Sequence, residues 1–207
     1  MKIIVFGATG SIGRQVVGQA VELGHDVTAF TRDASRVAGA NPSVRVVEGD
    51  VLDQAAVTAA IAGHDAVLVA LGAGRKGGLR APGTKAIVDA MQATGVRRLI
   101  CQSTLGAGDS RGNLTLFWKY LMFGALLRGA YADHQEQERH VRESDLDWTI
   151  VRPGAFTDGD RTGDYRHGFS GDDRTTQLKI SRADVADFML RLLHEDSYLR
   201  GTPALSY

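Results

Sequence analysis

The stretch MKIIVFGATGSIGRQVV, residues 1–17, joins an apolar run to a helical pattern through three glycines. Residues 3–6 form a predicted buried strand, and apolar residues then recur at helical spacing. Gly7 permits the sharp turn, Gly10 leaves room for an anion at the backbone, and Gly13 lets the helix pack on the strand. A plain glycine-rich turn would share the triplet, but the strand before it and the helix after it predict a dinucleotide site.

Backbone amides at the start of this helix point toward the anion, with the helix dipole behind them. They suit the pyrophosphate of a nucleotide cofactor. The residues of this segment that we expect to contact the cofactor are Gly7, Thr9, Gly10, Ser11, Ile12 and Gly13.

Composition narrows the classes of function. The chain has 207 residues with 24 basic and 24 acidic side chains, so a surface for nucleic acid or an anionic membrane is not expected. The partner is therefore expected to be a small-molecule substrate. The length suits one domain over residues 1–207, and a monomer or homodimer is expected. The first residues lack the pattern of a secretion signal, which predicts a cytoplasmic protein.

Cysteine and histidine usage predicts neither a disulfide nor a metal site. The one cysteine, Cys101, lies in an apolar run and is expected to be a reduced core thiol. The six histidines are scattered. Pairs such as His134 with Glu138 have helical spacing but no third ligand, so ion pairs or solvated side chains explain them.

Short apolar runs alternate with helical patterns along the chain. Strands are predicted near residues 2–6, 26–30, 44–47, 66–70, 97–102 and 147–152. Helices are predicted near residues 12–23, 54–61, 83–94, 131–144 and 182–194. The alternation predicts a Rossmann-like α/β fold: a doubly wound parallel sheet with helices on both faces and a small C-terminal elaboration on the substrate side. Ligands of such sheets bind at the carboxyl ends of the strands.

The end of the second predicted strand carries two arginines, Arg32 and Arg36. An acidic residue there binds the ribose hydroxyls of NAD, whereas arginine suits the 2′-phosphate of NADP. The cofactor is therefore predicted to be NADP(H). The alternative is that both arginines are solvated, with Asp33 capping the next turn and pairing with Arg32.

Two further strand ends supply the remaining predicted cofactor contacts. Asp50 and Val51 follow the third strand, where Asp50 is placed against the adenine edge and Asp53 caps the next helix. Leu71 and Gly72 follow the fourth strand and are expected close to the riboses, although a simple turn would also explain them.

Several motifs, taken in order along nearly the whole chain, resemble one family. They are GATGSIG at 7–13, TRDASR at 31–36, GDVLD at 49–53, AGHDAV at 62–67, CQST at 101–104, ADHQ at 132–135, VRPG at 151–154 and ISRADV at 180–185. The chain resembles an atypical short-chain dehydrogenase/reductase of the flavin reductase or biliverdin reductase B-like group, with the NmrA-like proteins as more distant relatives.

The resemblance implies roles for residues after the fifth and sixth strands. Ser103 matches the active-site serine of these reductases, near the nicotinamide and the substrate; a strand-end hydroxyl bonded to backbone is the alternative. Pro153 and Gly154 match a segment whose backbone contacts the nicotinamide. His134 matches a histidine of the flavin reductases, although acidic neighbours also fit a solvated helix face.

The chain departs from the wider superfamily at its proton relay. The usual tyrosine and lysine positions hold Ala130 and His134, and Tyr131 is one residue out of register, about 100° around the helix. The reductases also carry a histidine where this sequence has Gly154-Ala155-Phe156.

An aromatic run within residues 114–128 is expected to line the substrate pocket, form a dimer surface or lie in the core.

These features predict an NADPH-dependent oxidoreductase that transfers hydride to a planar conjugated acceptor such as a flavin, a quinone or a tetrapyrrole-like molecule. The alternative is an NmrA-like regulatory protein that senses NADPH and NADP without turnover. A sugar epimerase or carbonyl reductase is disfavoured because both need the missing relay.

Overall fold

The computed structural model describes residues 1–37, 43–72, 74, 77–114, 126–171 and 173–207. The strands are β1 (Lys2–Phe6), β2 (Asp26–Thr31), β3 (Arg45–Glu48), β4 (Ala66–Val69), β5 (Arg98–Gln102), β6 (Asp147–Pro153), β7 (Ala155–Thr157), β8 (Arg166–His167), β9 (Lys179–Ser181) and β10 (Ala204–Ser206). The helices are α1 (Ser11–Glu22), α2 (Gln54–Ile61), α3 (Arg80–Thr94), α4 (Arg128–Arg142) and α5 (Arg182–Arg191), with 3₁₀ turns at Ala34–Arg36 and Gly108–Asn113.

The main sheet has the strand order β3-β2-β1-β4-β5-β6-β10-β8. All neighbours pair in parallel except β8, which runs antiparallel to β10. The strand order reverses between β1 and β4, and this switch point is where open α/β sheets bind ligands. The predicted Rossmann-like sheet is thus confirmed.

Helices cover both faces of the sheet because side chains of β1 alternate between two apolar cores. Ile3 and Val5 join the core beneath α1 and α5, which pack on each other. Ile4 and Phe6 join the core beneath α2, α3 and α4, in which α3 contacts both of the other helices. All four side chains are fully buried, so β1 anchors both layers.

The structure differs from the predicted elements mainly around α3 and beyond β6. Helix α3 begins at Arg80, earlier than the predicted start near residue 83, because the Asp133 carboxylate accepts hydrogen bonds from amides of its first turn. The strands β7 to β10 have two or three residues each, which is too short for a periodic signal. Two of them, β10 and β8, extend the main sheet at its edge, and β7 pairs with β9 in a separate two-stranded sheet. Within the described ranges, no helix is long and apolar enough to cross a membrane.

Candidate functional site

The glycine loop forms a cradle at the carboxyl end of β1. Gly7 has a φ of +80°, and a Cβ atom there would lie 2.3 Å from the Ala70 carbonyl oxygen. A Cβ atom at Gly13 would lie 2.1 Å from the carbonyl oxygen of Gly7. At Gly10 the nearest atom would be 3.1 Å away, and this residue borders a cavity. Gly7 and Gly13 are therefore required for backbone packing, whereas Gly10 keeps space open.

The first turn of α1 is available to a ligand. Gly10 is its N-cap residue, and no side chain of the described residues caps it. Ser11 and Ile12 belong to this turn and line the adjoining cavity. Amides of a first helical turn lack partners within the helix, so a bound anion satisfies them. The geometry fits the predicted pyrophosphate.

A cleft of about 470 Å³ extends from the glycine loop to the ends of β2 and β3, and we call it the β2 cleft. It is lined by Phe6, Gly7, Thr9, Gly10, Phe30, Thr31, Arg32, Asp33, Arg36, Gly49, Val51, Leu71, Gly72 and Leu79. The fold thus brings most of the predicted cofactor residues of the first four strand ends into one cleft.

The guanidinium groups of Arg32 and Arg36 line the β2 cleft without an ion pair to any described residue. Both side chains are exposed. Asp33 caps the following 3₁₀ turn through the Ser35 amide, as the alternative interpretation of this segment expects. The alternative pair between Arg32 and Asp33 is not formed. Glu48 likewise accepts a hydrogen bond from a backbone amide of that turn, so both guanidinium groups are free for an anionic ligand.

Asp50 does not line the β2 cleft. Its exposed carboxylate accepts a hydrogen bond of 3.0 Å from the Leu52 amide and shapes the turn after β3. The contact of Asp50 with adenine stays a prediction. Asp53 accepts hydrogen bonds from the Ala55 and Ala56 amides, and the predicted cap of α2 is confirmed.

A second cavity of about 250 Å³, the Ser103 cavity, lies at the carboxyl ends of β4, β5 and β6. It is lined by Gly10, Ser11, Ile12, Ala70, Leu71, Gly72, Arg80, Gln102, Ser103, Thr104, Leu105, Leu114, Leu127, His134, Pro153, Gly154, Ala155, Phe156 and Leu178. Gly10, Leu71 and Gly72 line the β2 cleft as well. The two cavities therefore form one groove across the switch point of the sheet.

A buried hydrogen-bond network holds Ser103. Its hydroxyl donates to Glu138 Oε1 at 2.7 Å. Arg152 donates from Nε to the same oxygen at 2.9 Å and from Nη2 to Oε2 at 2.6 Å. Asp109 accepts from Arg152 Nη1, and Gly108 packs so closely that a Cβ atom there would lie 2.4 Å from Nη2. The Ser103 hydroxyl proton is thus committed to Glu138, so the Ser103 oxygen can only accept any further hydrogen bond.

The charges of this network stabilise one another. Burial alone would lower the pKa of Arg152, but the hydrogen bonds that Arg152 donates to Glu138 and Asp109, and the negative charges of these two residues, outweigh it and raise the pKa. The hydrogen bond from Arg152 in turn lowers the pKa of Asp109. Arg152 and Glu138 therefore form a buried ion pair with a bidentate geometry.

His134 is buried and uncharged. Burial, and then the positive charge of Arg80, lower the pKa of His134 to about 3. Its side chain is not on a solvated helix face, so that alternative is wrong. The Nδ1 atom lies 3.5 Å from Ser103 Oγ, at the limit of a hydrogen bond. At neutral pH His134 is a polar wall of the cavity and not a charged acid.

Tyr131 points away from the Ser103 cavity. Its hydroxyl donates to the Gly106 carbonyl oxygen at 2.9 Å, and Gln135 donates to the same hydroxyl at 3.3 Å. Tyr131 is not a lining residue, which agrees with its predicted register on α4. The described residues place no tyrosine where the superfamily relay has one.

Sequence reasoning missed three charged residues of this region. Glu138 and Arg152 form the network behind Ser103, and Arg80 lines the cavity itself. No local pattern marks them as a group, although an arginine inside the apolar strand β6 is an unusual residue that calls for a buried partner. Pro153 and Gly154 line the cavity where the resemblance places them.

The remaining candidates are structural or lie elsewhere. Cys101 is a free buried thiol whose pKa is raised by burial, which confirms the predicted core role. Most of the aromatic run in residues 114–128 lies outside the described residues. No group of three or more potential metal ligands occurs in the described ranges.

A parallel sheet with an anion cradle and a groove at its switch point defines a dinucleotide-binding protein. The sequence matches the NAD(P)H-binding family model over residues 7–196, and the chain belongs to this family.

The chain is similar in sequence to a protein from yeast and to a reductase from a Streptomyces species. The chain is 30% identical to the Saccharomyces cerevisiae protein YMR090W over 220 residues, covering 99% of this chain and 92% of that one. It is 35% identical to the 3-diazoavenalumate denitrifying reductase of a Streptomyces species over 190 residues, covering 81% of this chain and 60% of the relative.

Solved structures show the same fold. ChuY, an anaerobillin reductase from Escherichia coli O157:H7, has a TM-score of 0.83 at 25% identity over 100% of this chain and 97% of its own. A short-chain dehydrogenase/reductase from Veillonella parvula, solved in complex with NADP, has a TM-score of 0.85 at 20% identity over 100% of this chain and 94% of its own. The second match concerns the fold alone.

Proposed function

We propose that this chain is an NADPH-dependent reductase that transfers hydride to a planar conjugated acceptor, such as a flavin, a quinone or a tetrapyrrole-like molecule. One observation carries the proposal: the β2 cleft and the Ser103 cavity form a single groove that shares Gly10, Leu71 and Gly72. The adenosine half of a dinucleotide suits the first part, and the nicotinamide together with an acceptor suits the second. Two similar proteins are named reductases, which supports the class of reaction but leaves the acceptor open.

The walls of the Ser103 cavity favour an acceptor with a large apolar surface, as a conjugated ring system has. Many of its lining side chains are apolar, among them Leu105, Leu114, Leu127, Phe156 and Leu178. When bound, the nicotinamide supplies the hydride. The chain would hold the acceptor against it and exclude water, and such orientation gives much of the acceleration.

The absence of a tuned acid in the described site also favours a conjugated acceptor. His134 is neutral at pH 7, and the Tyr131 hydroxyl is bound to Gly106. Reduction of an isolated carbonyl needs a positioned proton donor. A conjugated product delocalises its charge and takes a proton from water, so the site observed here suffices.

We expect Ser103→Ala to lower the rate of acceptor reduction by roughly 5- to 30-fold, because the substitution removes one orienting hydrogen bond. Tyr131→Phe is the matched control and should have little effect, since its hydroxyl contacts the backbone of Gly106. The measurement is NADPH oxidation at about 340 nm with flavins, quinones and linear tetrapyrroles as acceptors.

The opposite order of effects would return a conventional carbonyl reductase to consideration. If no acceptor oxidises NADPH although the cofactor binds tightly, the chain is a cofactor sensor like the NmrA-like proteins. Reduction of flavin would support its grouping with the flavin reductases.

The proposed preference for NADPH rests on Arg32 and Arg36, whose charges are free in the β2 cleft. We expect the chain to bind NADPH more tightly than NADH, and Arg32→Ala to weaken NADPH binding by roughly 10- to 100-fold. Arg45→Ala, at the opposite end of β3, is the control. Equal affinities of the unmodified chain for the two cofactors would contradict the preference.

A further inference from the structure

Arg80, the first residue of α3, lines the Ser103 cavity with Ser103 and His134. Its side chain is 14% exposed. The Nε and Nη1 atoms are buried and have no hydrogen-bond acceptor among the described residues. A buried donor without an acceptor is costly, and more so in a charged group. Within the described part of the chain, two donors of the Arg80 guanidinium therefore lack a hydrogen-bond acceptor.

The nearest carboxylate does not meet these donors. Asp133 Oδ2 lies 3.8 Å from Arg80 Nη1, beyond hydrogen-bond distance. The two oxygens of Asp133 accept hydrogen bonds from the Arg80 and Ala81 amides at 3.1 and 3.0 Å. Asp133 thus caps α3 and moderates the charge of Arg80 without satisfying it. Burial lowers the pKa of Arg80 while the charge of Asp133 raises it, and a guanidinium remains charged in proteins.

Among its described lining residues, the Ser103 cavity has a positive charge and no negative one. Arg80 is the one formally charged residue among its described lining residues, since His134 is neutral. The rest of the lining is apolar or made of uncharged polar residues. An anion that enters this cavity is therefore attracted to a single place.

The position of the guanidinium favours the substrate over the cofactor. Arg80 lines the Ser103 cavity beside Gln102 and Ser103 at the end of β5, and it is not among the lining residues of the β2 cleft. The pyrophosphate is expected at the first turn of α1, whose amides already suit it. The nicotinamide and its ribose bring no negative charge.

We propose that Arg80 binds a carboxylate of the substrate, so that the acceptor is a planar conjugated acid. This inference rests on the proposed function, because it assigns the substrate class of the same cavity. The planar fork of a guanidinium matches a carboxylate through two parallel hydrogen bonds. The apolar walls then hold the conjugated part of the acceptor.

Binding of two small probes tests the inference without requiring turnover. 2-Naphthoate and its uncharged analogue 2-naphthamide are titrated into the chain saturated with NADP, and calorimetry gives both affinities. We expect 2-naphthoate to bind the unmodified chain more tightly than 2-naphthamide. Arg80→Gln should weaken naphthoate binding by roughly 10- to 100-fold and leave naphthamide binding unchanged.

Two further variants control for charge and position. Arg80→Lys keeps the charge but loses the fork, so we expect an intermediate affinity for 2-naphthoate. Arg128→Gln, at the exposed first residue of α4, should leave both probes unaffected. If Arg80→Gln does not fold, the comparison of Arg80→Lys with the unmodified chain still decides, because loss of the fork alone must weaken naphthoate binding.

Two results would overturn the assignment. Equal affinities of the two probes for the unmodified chain would show that the cavity does not select a carboxylate. Weaker NADP binding by Arg80→Gln, with naphthoate unaffected, would assign Arg80 to the cofactor. A chain that binds naphthoate through Arg80 but oxidises no NADPH would retain the carboxylate site while losing the proposed reaction.

Discussion

Replacing Gly10 by valine is expected to abolish dinucleotide binding while the fold persists. The backbone of Gly10 has φ −74° and ψ 170°, which a valine adopts readily. A Cβ atom there would lie 3.1 Å from the Gly7 carbonyl oxygen, so a shift of a few tenths of an ångström accommodates it. The branched side chain would then fill the space that the pyrophosphate needs. We expect the affinity for NADPH to fall more than about 100-fold.

Gly18→Val is the control for this substitution, because Gly18 lies in the same helix and a Cβ atom there has no neighbour within 4 Å. Both variants should give the circular dichroism spectrum of the unmodified chain, and only Gly10→Val should lose NADPH in a titration. Unchanged binding by Gly10→Val would mean that the glycine loop is a turn without a ligand.

Glu138→Ala is expected to lower the free energy of unfolding by about 3–5 kcal/mol. This is the usual cost of removing one partner of a buried ion pair. The substitution leaves the Arg152 guanidinium, 1% exposed, without two of its hydrogen bonds. Asp109 remains as a partner, but 79% of its side chain is exposed. Urea denaturation measures the change in free energy of unfolding.

Glu136→Ala is the matched control on α4, because Glu136 forms an exposed ion pair with Arg139. Exposed pairs of this kind contribute little, so its midpoint should stay close to that of the unmodified chain. Glu138→Gln should be intermediate, since the amide keeps an acceptor for Ser103 but loses the charge. Equal midpoints for Glu138→Ala and Glu136→Ala would show that the buried pair does not stabilise the fold.

Local patterns were enough to predict the six strands β1 to β6, the helices and the glycine loop. Each of these features shows in the spacing of apolar residues and glycines within a short stretch of sequence, as in the apolar strand that ends before Gly7. The cap at Asp53 was predictable for the same reason, because it involves amides two and three residues further on.

Contacts between distant segments were not predictable in this way. His134 lies among Asp133, Glu136 and Glu138, which suggested a solvated face. Two of these acids instead turn inward: Asp133 caps α3, and Glu138 pairs with Arg152. Their partners come from other strands and helices, so only the assembled fold shows that this face of α4 is buried. The position of Arg80 in the Ser103 cavity was missed for the same reason.

The shared lining of the two cavities predicts an order in which cofactor and acceptor bind. Gly10, Leu71 and Gly72 belong to both, so a dinucleotide lying across them becomes part of the surface on which the acceptor rests. The binding surface for the acceptor is then complete only after the cofactor has bound. We therefore expect ordered kinetics, in which the cofactor binds first and leaves last. A high concentration of acceptor should then not inhibit the reaction by binding to the protein that lacks cofactor.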